Sequence, residues 1–223
     1  MTYALVCLDM AGTTVRDDGL VERAFTAAVG ALGVGPETDE YATMIAIVRE
    51  TMGQSKIQVF LRLFGSAEAA HQANVAFEAA YADLVRDGAV TALPGAAEVL
   101  ATLRAGGLRI ALTTGFARAT QESIVDALGW RDAVDLLVCP SGALRGRPYP
   151  DMVVHAAKTL GVADLGEVVV VGDTPSDVAS GTAAGAGLVL GVLTGSFEAQ
   201  ALAEAGANGV LDSVADLPPV LGL

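Results

Sequence analysis

Tyr3-Ala4-Leu5-Val6-Cys7-Leu8-Asp9-Met10-Ala11-Gly12-Thr13-Thr14 is the stretch whose reading decides the fold. A mostly apolar run ends on a carboxylate, and Gly12 turns the chain soon afterwards. A run of this kind reads as a buried strand. Its closing polar group falls at the carboxyl edge of the sheet, where open α/β folds place their chemistry. Asp9 is therefore the first candidate nucleophile, although an aspartate in this position, taken alone, equally well caps a following helix.

The rest of the chain repeats the pattern. Continuous apolar runs at residues 108–113, 134–139 and 167–172 have the character of strands buried on both faces, and Leu188 to Leu193 gives a weaker fifth. Helical patterns lie between them: Ala96 to Ala105 behind Pro94-Gly95, Ala117 to Leu128 stopped by Gly129, and Asp151 to Leu160 stopped by Gly161. This alternation predicts an α/β fold with a doubly wound parallel sheet. Gly209-Val210-Leu211 adds a short strand signal that would close the sheet.

Residues 17–92 break the rhythm, with long helical patterns interrupted at Gly33-Val34-Gly35-Pro36, Met52-Gly53 and Phe64-Gly65 and no convincing strand. The expected organisation is a core of residues 1–16 and 93–223, with an all-helical cap, residues 17–92, inserted over the active edge. Met44, Met52, Phe60 and Phe64 are expected in the cap's interior.

Composition narrows the function classes. With 52% hydrophobic and 17% charged residues over 223 positions, the chain reads as globular rather than disordered, collagenous or coiled-coil. A formal charge of −13 disfavours nucleic acid and anionic membrane surfaces as partners. No stretch has the apolar length to span a bilayer and no basic leader precedes the first strand, so the expected compartment is the cytoplasm. Cys7 and Cys139 read as small core residues rather than a disulfide or a zinc site.

Three further segments carry polar groups on strand tips or rigid loops. Thr113-Thr114-Gly115 offers a hydroxyl and backbone amides suited to phosphoryl oxygens. Arg147-Pro148-Tyr149-Pro150 fixes a loop that aims one cation. Val168-Val169-Val170-Val171-Gly172-Asp173-Thr174-Pro175-Ser176-Asp177 ends a strand with two carboxylates, a donor set suited to magnesium. Asp177 would either bind the metal or brace the loop. His71 and His155 read as surface or packed residues, and Tyr149 as a packing residue.

In this order the four segments resemble the haloacid dehalogenase superfamily, and the resemblance covers the whole chain. It implies a magnesium-dependent hydrolase in which Asp9 attacks phosphorus to form an aspartyl-phosphate. Asp9, the Ala11 carbonyl, Asp173 and Asp177 would be the metal site, and Thr113 and Arg147 would hold phosphoryl oxygens. Gly12, Thr114 and Gly115 would line the phosphate site. Most phosphatases of the superfamily carry a second aspartate two residues after the nucleophile, and here that residue is Ala11. A missing general acid costs roughly 10²–10⁴ in rate with a poor leaving group. An ordinary phosphomonoester is therefore disfavoured.

The phosphonatase branch, in which carbon rather than oxygen leaves, is the closer likeness. Met52-Gly53-Gln54-Ser55-Lys56 resembles its cap segment ending in an imine-forming lysine, which makes Lys56 the Schiff-base candidate, with Met52 able to face substrate. The chain departs from that pattern at Val59, Phe116 and Gly19, where histidine, tyrosine and cysteine are expected. The implied substrate is a small anionic phosphonate or activated organophosphate. A small-molecule phosphatase and a non-catalytic anion-binding module stay open as alternatives, and the apolar helices of the insertion leave a homodimer open.

Overall fold

The computed structural model describes residues 3–223. After the first strand, β1 (Leu5–Asp9), come four helices: α1 (Leu20–Ala31), α2 (Asp39–Glu50), α3 (Lys56–Phe64) and α4 (Ala67–Arg86). Strands and helices then alternate through α5 (Ala96–Ala105), β2 (Arg109–Thr113), α6 (Arg118–Ala127), β3 (Leu136–Val138), α7 (Asp151–Thr159) and β4 (Val168–Gly172). The chain closes with α8 (Pro175–Ala184), β5 (Leu188–Val192), α9 (Ala199–Glu204), β6 (Gly209–Leu211) and α10 (Leu217–Val220).

The strands form one six-stranded sheet in the order β3-β2-β1-β4-β5-β6, with every pairing parallel. The chain steps outward from β1 through β2 and β3, then returns to β4 and steps outward on the other side. The order therefore reverses beside β1, the point at which open α/β sheets leave a crevice for ligands. Register sets Asp9 beside Thr113 and Leu8 beside Val171, so the tips of β1, β2 and β4 end side by side.

Side chains of β1 alternate between two apolar layers. Val6 and Leu8 join α5 and α6 on one face, and Leu5 and Cys7 join α7, α8 and α9 on the other. Both layers are sealed, which is why these strands read as continuous apolar runs. Burial pushes the Cys7 thiol up to about 12, as suits an inert core residue. The run at 134–139 yields only a three-residue strand. At its start the Asp135 carboxylate, not a ladder carbonyl, accepts the Ile110 amide at 2.9 Å, and regular pairing begins one residue later.

The first layer continues without interruption into the helices between β1 and α5. Phe60 stands 6.0 Å from both Phe25 and Phe77, and Phe77 stands 6.2 Å from Phe116 at the end of the β2 turn. The two connections between these helices and the sheet run side by side: Arg16 N donates to Thr91 O at 2.9 Å and Leu93 N to Thr14 O at 3.0 Å. No helix among the described residues is long and apolar enough to cross a membrane.

Candidate active site

Asp9, Arg147 and Asp173 are each 5% exposed, so their charges meet almost without water. Arg147 Nη1 lies 2.6 Å from Asp9 Oδ1, and its Nε lies 2.7 Å from Asp177 Oδ1. Its Nη2 donates to Thr113 Oγ1 at 2.6 Å. One guanidinium thus gathers the tips of β1 and β2 and the first turn of α8, a task for which its planar fork of donors is suited.

Three carboxylates, those of Asp9, Asp173 and Asp177, place one oxygen each within 4.8 Å of one another. Burial and the neighbouring Asp9 and Asp177 charges hold the Asp173 carboxyl well above the ordinary range, against the Thr13 hydroxyl donating to it at 3.1 Å. Burial likewise pushes Asp177 up, against the pull of Arg147. A hard divalent cation fits this donor set, because carboxylates crowded out of water need positive charge beyond one arginine. Glycines make the crowding possible. A Cβ on Gly12, where φ is +92°, would fall 2.4 Å from Asp173 Oδ2, and one on Gly195 would also overlap that carboxylate.

Asp177 makes the bracing contacts weighed for it from sequence. Its Oδ2 accepts the Thr174 amide at 3.1 Å and the Thr174 hydroxyl, while Thr174 Oγ1 accepts the Asp177 amide, closing a capping box at the start of α8. Its oxygens are thus already engaged by Thr174 and Arg147, whereas Asp173 carries only the Thr13 contact among the described hydrogen bonds.

A cavity of about 40 Å³ lies over these groups, lined by Asp9, Ala11, Gly12, Thr114, Gly115, Arg147 and Asp173 from the sheet side. Met52, Gly53 and Lys56 close it from the helical side. Sites that seat small ligands usually measure about 300–1,000 Å³, so this cavity is small for one. The closing loop is in backbone contact with the sheet. Lys56 N donates to Gly115 O at 3.2 Å, and a Cβ on Gly115 would overlap Gln54 O. Arg147 Nη1 also reaches Gly53 O at 3.4 Å.

Lys56 is half-buried, with Nζ 5.3 Å from the centroid of the Phe116 ring. Burial holds its ammonium below the ordinary lysine range, and Asp17, Asp9 and Glu78 oppose that shift. Val59 and Phe116 are buried apolar neighbours of this lysine. Gly19 stands at the start of α1 in a left-handed conformation. Asp17, which no sequence motif singled out, lies on the cavity wall beside Val21 and Lys56.

Other side chains singled out from sequence stand away from the cavity wall or are already engaged. Thr113 is buried, is not on the cavity wall, and has its hydroxyl bound to Arg147. The Thr114 amide donates to Val138 O at 3.2 Å and the Gly12 amide to Val15 O at 2.8 Å. Tyr149, expected to pack, is exposed, with the Arg145 guanidinium 4.0 Å over its ring. His71 and His155 are exposed and away from the cavity wall.

The parallel sheet with its switch point at β1 and the buried carboxylates on its tips define a hydrolase of the haloacid dehalogenase type. The model of the haloacid dehalogenase-like hydrolases matches residues 3–185, and the chain belongs to that family. Among individual proteins, it is 41% identical over 109 residues to a phosphonoacetaldehyde hydrolase of Bacillus cereus, a stretch covering 48% of this chain and 41% of that relative. A hydrolase from Pseudomonas syringae superposes with a TM-score of 0.84 at 25% identity over 98% of both chains. A phosphonoacetaldehyde hydrolase-like protein from Oleispira antarctica shares the fold, with a TM-score of 0.84 at 24% identity over 100% of this chain and 92% of that one.

Proposed function

We propose that this hydrolase cleaves the carbon–phosphorus bond of a small phosphonate aldehyde, phosphonoacetaldehyde being the type compound. The carrying observation is that Asp9 and Lys56 line one cavity, the first from the tip of β1 and the second from the start of α3. The names of the relatives matched over 48% and 66% of this chain support the substrate class.

In this reading the phosphonate group rests in the cavity over Asp9 and Arg147. The Lys56 amine adds to the aldehyde carbon, water departs, and a protonated imine remains. An Asp9 oxygen then attacks phosphorus. The carbon–phosphorus bond breaks and its electron pair flows into the imine, giving an enamine on Lys56 and an aspartyl-phosphate on Asp9. Carbon leaves without needing a proton on oxygen, so Ala11 can stand where phosphatases carry an acid. Water hydrolyses the aspartyl-phosphate, and the enamine takes a proton on carbon and is hydrolysed to acetaldehyde. Asp9 and Asp173, with the Ala11 carbonyl, would hold magnesium, which when bound neutralises charge on the phosphoryl oxygens. Helices α1 to α4 act as the cap, and the paired connections near residues 16–20 and 89–95 are its hinges.

Phosphate release from phosphonoacetaldehyde, hexose phosphates and nucleoside monophosphates, measured with magnesium for the wild type and Lys56→Arg, tests the reading. The phosphonate should be preferred by about 10²-fold or more in kcat/KM, and Lys56→Arg should abolish its turnover. Monoester turnover that exceeds phosphonate turnover and does not depend on Lys56 would overturn it.

A further inference from the structure

The lysine chemistry just described needs a group that moves protons, and the neighbours of Lys56 at Val59 and Phe116 cannot. Most carboxylates nearby are committed elsewhere. Asp9 and Asp177 are bound by Arg147, and Asp173 by Thr13. Glu78 accepts the Ala117 amide at 3.2 Å and the Thr120 hydroxyl, and it is not on the cavity wall.

Asp17 is held by neither a guanidinium nor a hydroxyl among the described contacts. It lines the cavity together with Lys56. Asp18 (φ 41°) and Gly19 (φ 77°) are both left-handed and fold the chain back, so that Leu20 N donates to Asp17 O at 2.7 Å and Val21 N to Asp17 Oδ1 at 3.1 Å. One carboxylate oxygen is thereby fixed to the first turn of α1, which orients the other. Among the described residues no ion pair within 4.0 Å joins Asp17 to Lys56.

Resting on the imine reading above, we infer that Asp17 is the catalytic acid and base of the lysine steps, standing in for the proton-transfer groups absent at positions 19, 59 and 116. The carboxylate takes one proton from the Lys56 ammonium and becomes the neutral acid. The free amine adds to the aldehyde carbon, forming the carbon–nitrogen bond, and the carbonyl oxygen takes the proton that nitrogen sheds. Asp17 then gives its proton to that hydroxyl, the carbon–oxygen bond breaks, and water leaves the protonated imine and the Asp17 carboxylate.

Burial pushes Asp17 up and Lys56 down, which brings the two groups closer in proton affinity and eases transfer between them. Lys56 on α3 and Glu22 on α1 act on Asp17, and the buried Tyr81 phenol on α4 is pushed up by burial and by the Asp17 charge. Asp17, Asp9, Glu78 and Arg147 act on Lys56. Since Asp17 must be ionised to accept the proton, kcat should rise with pH through its elevated pKa.

The test is phosphonoacetaldehyde turnover against pH for the wild type, Asp17→Asn, Asp17→Glu and Lys56→Arg, with magnesium–beryllofluoride binding by calorimetry as the check that each variant is folded. Asparagine can still accept the Val21 amide. Asp17→Asn should lower kcat by about 10²–10⁴ with KM changed less than about threefold, and should lose the acidic limb of the profile. Asp17→Glu should restore part of the rate and the limb. If Asp17→Asn turns over like the wild type and keeps its acidic limb while Lys56→Arg is inactive, the role of Asp17 is overturned and the imine reading stands. If Lys56→Arg turns over like the wild type, the imine reading itself fails, and this inference with it.

Discussion

Arg147 meets Asp9 at 2.6 Å with both side chains nearly sealed from solvent, and the same guanidinium holds Asp177 at 2.7 Å. Removing one partner of a buried ion pair leaves uncompensated charge and costs about 3–5 kcal/mol. Arg147→Met is therefore expected to destabilise the metal-free protein by roughly that amount. Urea denaturation, monitored by the circular dichroism of the helices, measures it. Magnesium should recover part of the loss.

The crowding of Asp9, Asp173 and Asp177 gives a second expectation. Magnesium should raise the melting temperature of the wild type, since a ligand that binds only the folded chain stabilises it. In Asp173→Asn that rise should vanish. The variant without metal should melt higher than the metal-free wild type, because one buried like charge is gone. Thermal denaturation with magnesium and with EDTA checks both outcomes.

The contact of the closing loop with the sheet gives a third. A methyl group on Gly115 would overlap Gln54 O, so Gly115→Ala should push the loop carrying Met52 to Lys56 away from Asp9. Misplacement of about 1 Å costs about 10²-fold in rate. Steady-state kinetics should show that loss in kcat/KM, with the melting temperature nearly unchanged because neither Gly115 nor Gln54 belongs to the apolar core.

Lys56 and Lys158 are the chain's two lysines, which makes a pH measurement on the amine direct. Burial lowers the Lys56 pKa from 10.5, so its neutral fraction should appear at lower pH than for an ordinary lysine. The charged form is the one disfavoured by folding. Stability should accordingly rise with pH from the lowered value towards 10.5, where the unfolded chain binds the extra proton. Reductive methylation with formaldehyde, read by peptide mass against the exposed Lys158, should give Lys56 a midpoint below 10.5.

The strand tips were legible because strands buried on both faces read as unbroken apolar runs, so the first polar residue after each one marks the sheet's edge. Asp9, Thr113 and Asp173 all followed from that rule. The length of β3 did not, because a side chain, Asp135, replaces the ladder partner of Ile110. Nor did the setting of Thr113, whose hydroxyl faces Arg147 across a gap in sequence that no local pattern spans. Asp17 was missed for a different reason. Asp17-Asp18-Gly19 before an apolar helix reads as an ordinary start signal, and only the packing of α1 to α4 brings Lys56 to the same wall.

The central claim is that Lys56 becomes covalently joined to the substrate carbon while Asp9 takes the phosphoryl group. Wild-type enzyme turning over phosphonoacetaldehyde with magnesium, quenched with borohydride and digested, tests it most directly. An N-ethyl or N-phosphonoethyl group on the peptide containing Lys56, absent without substrate, is the expected result. Continued turnover in the presence of borohydride, with Lys56 recovered unmodified, would contradict it.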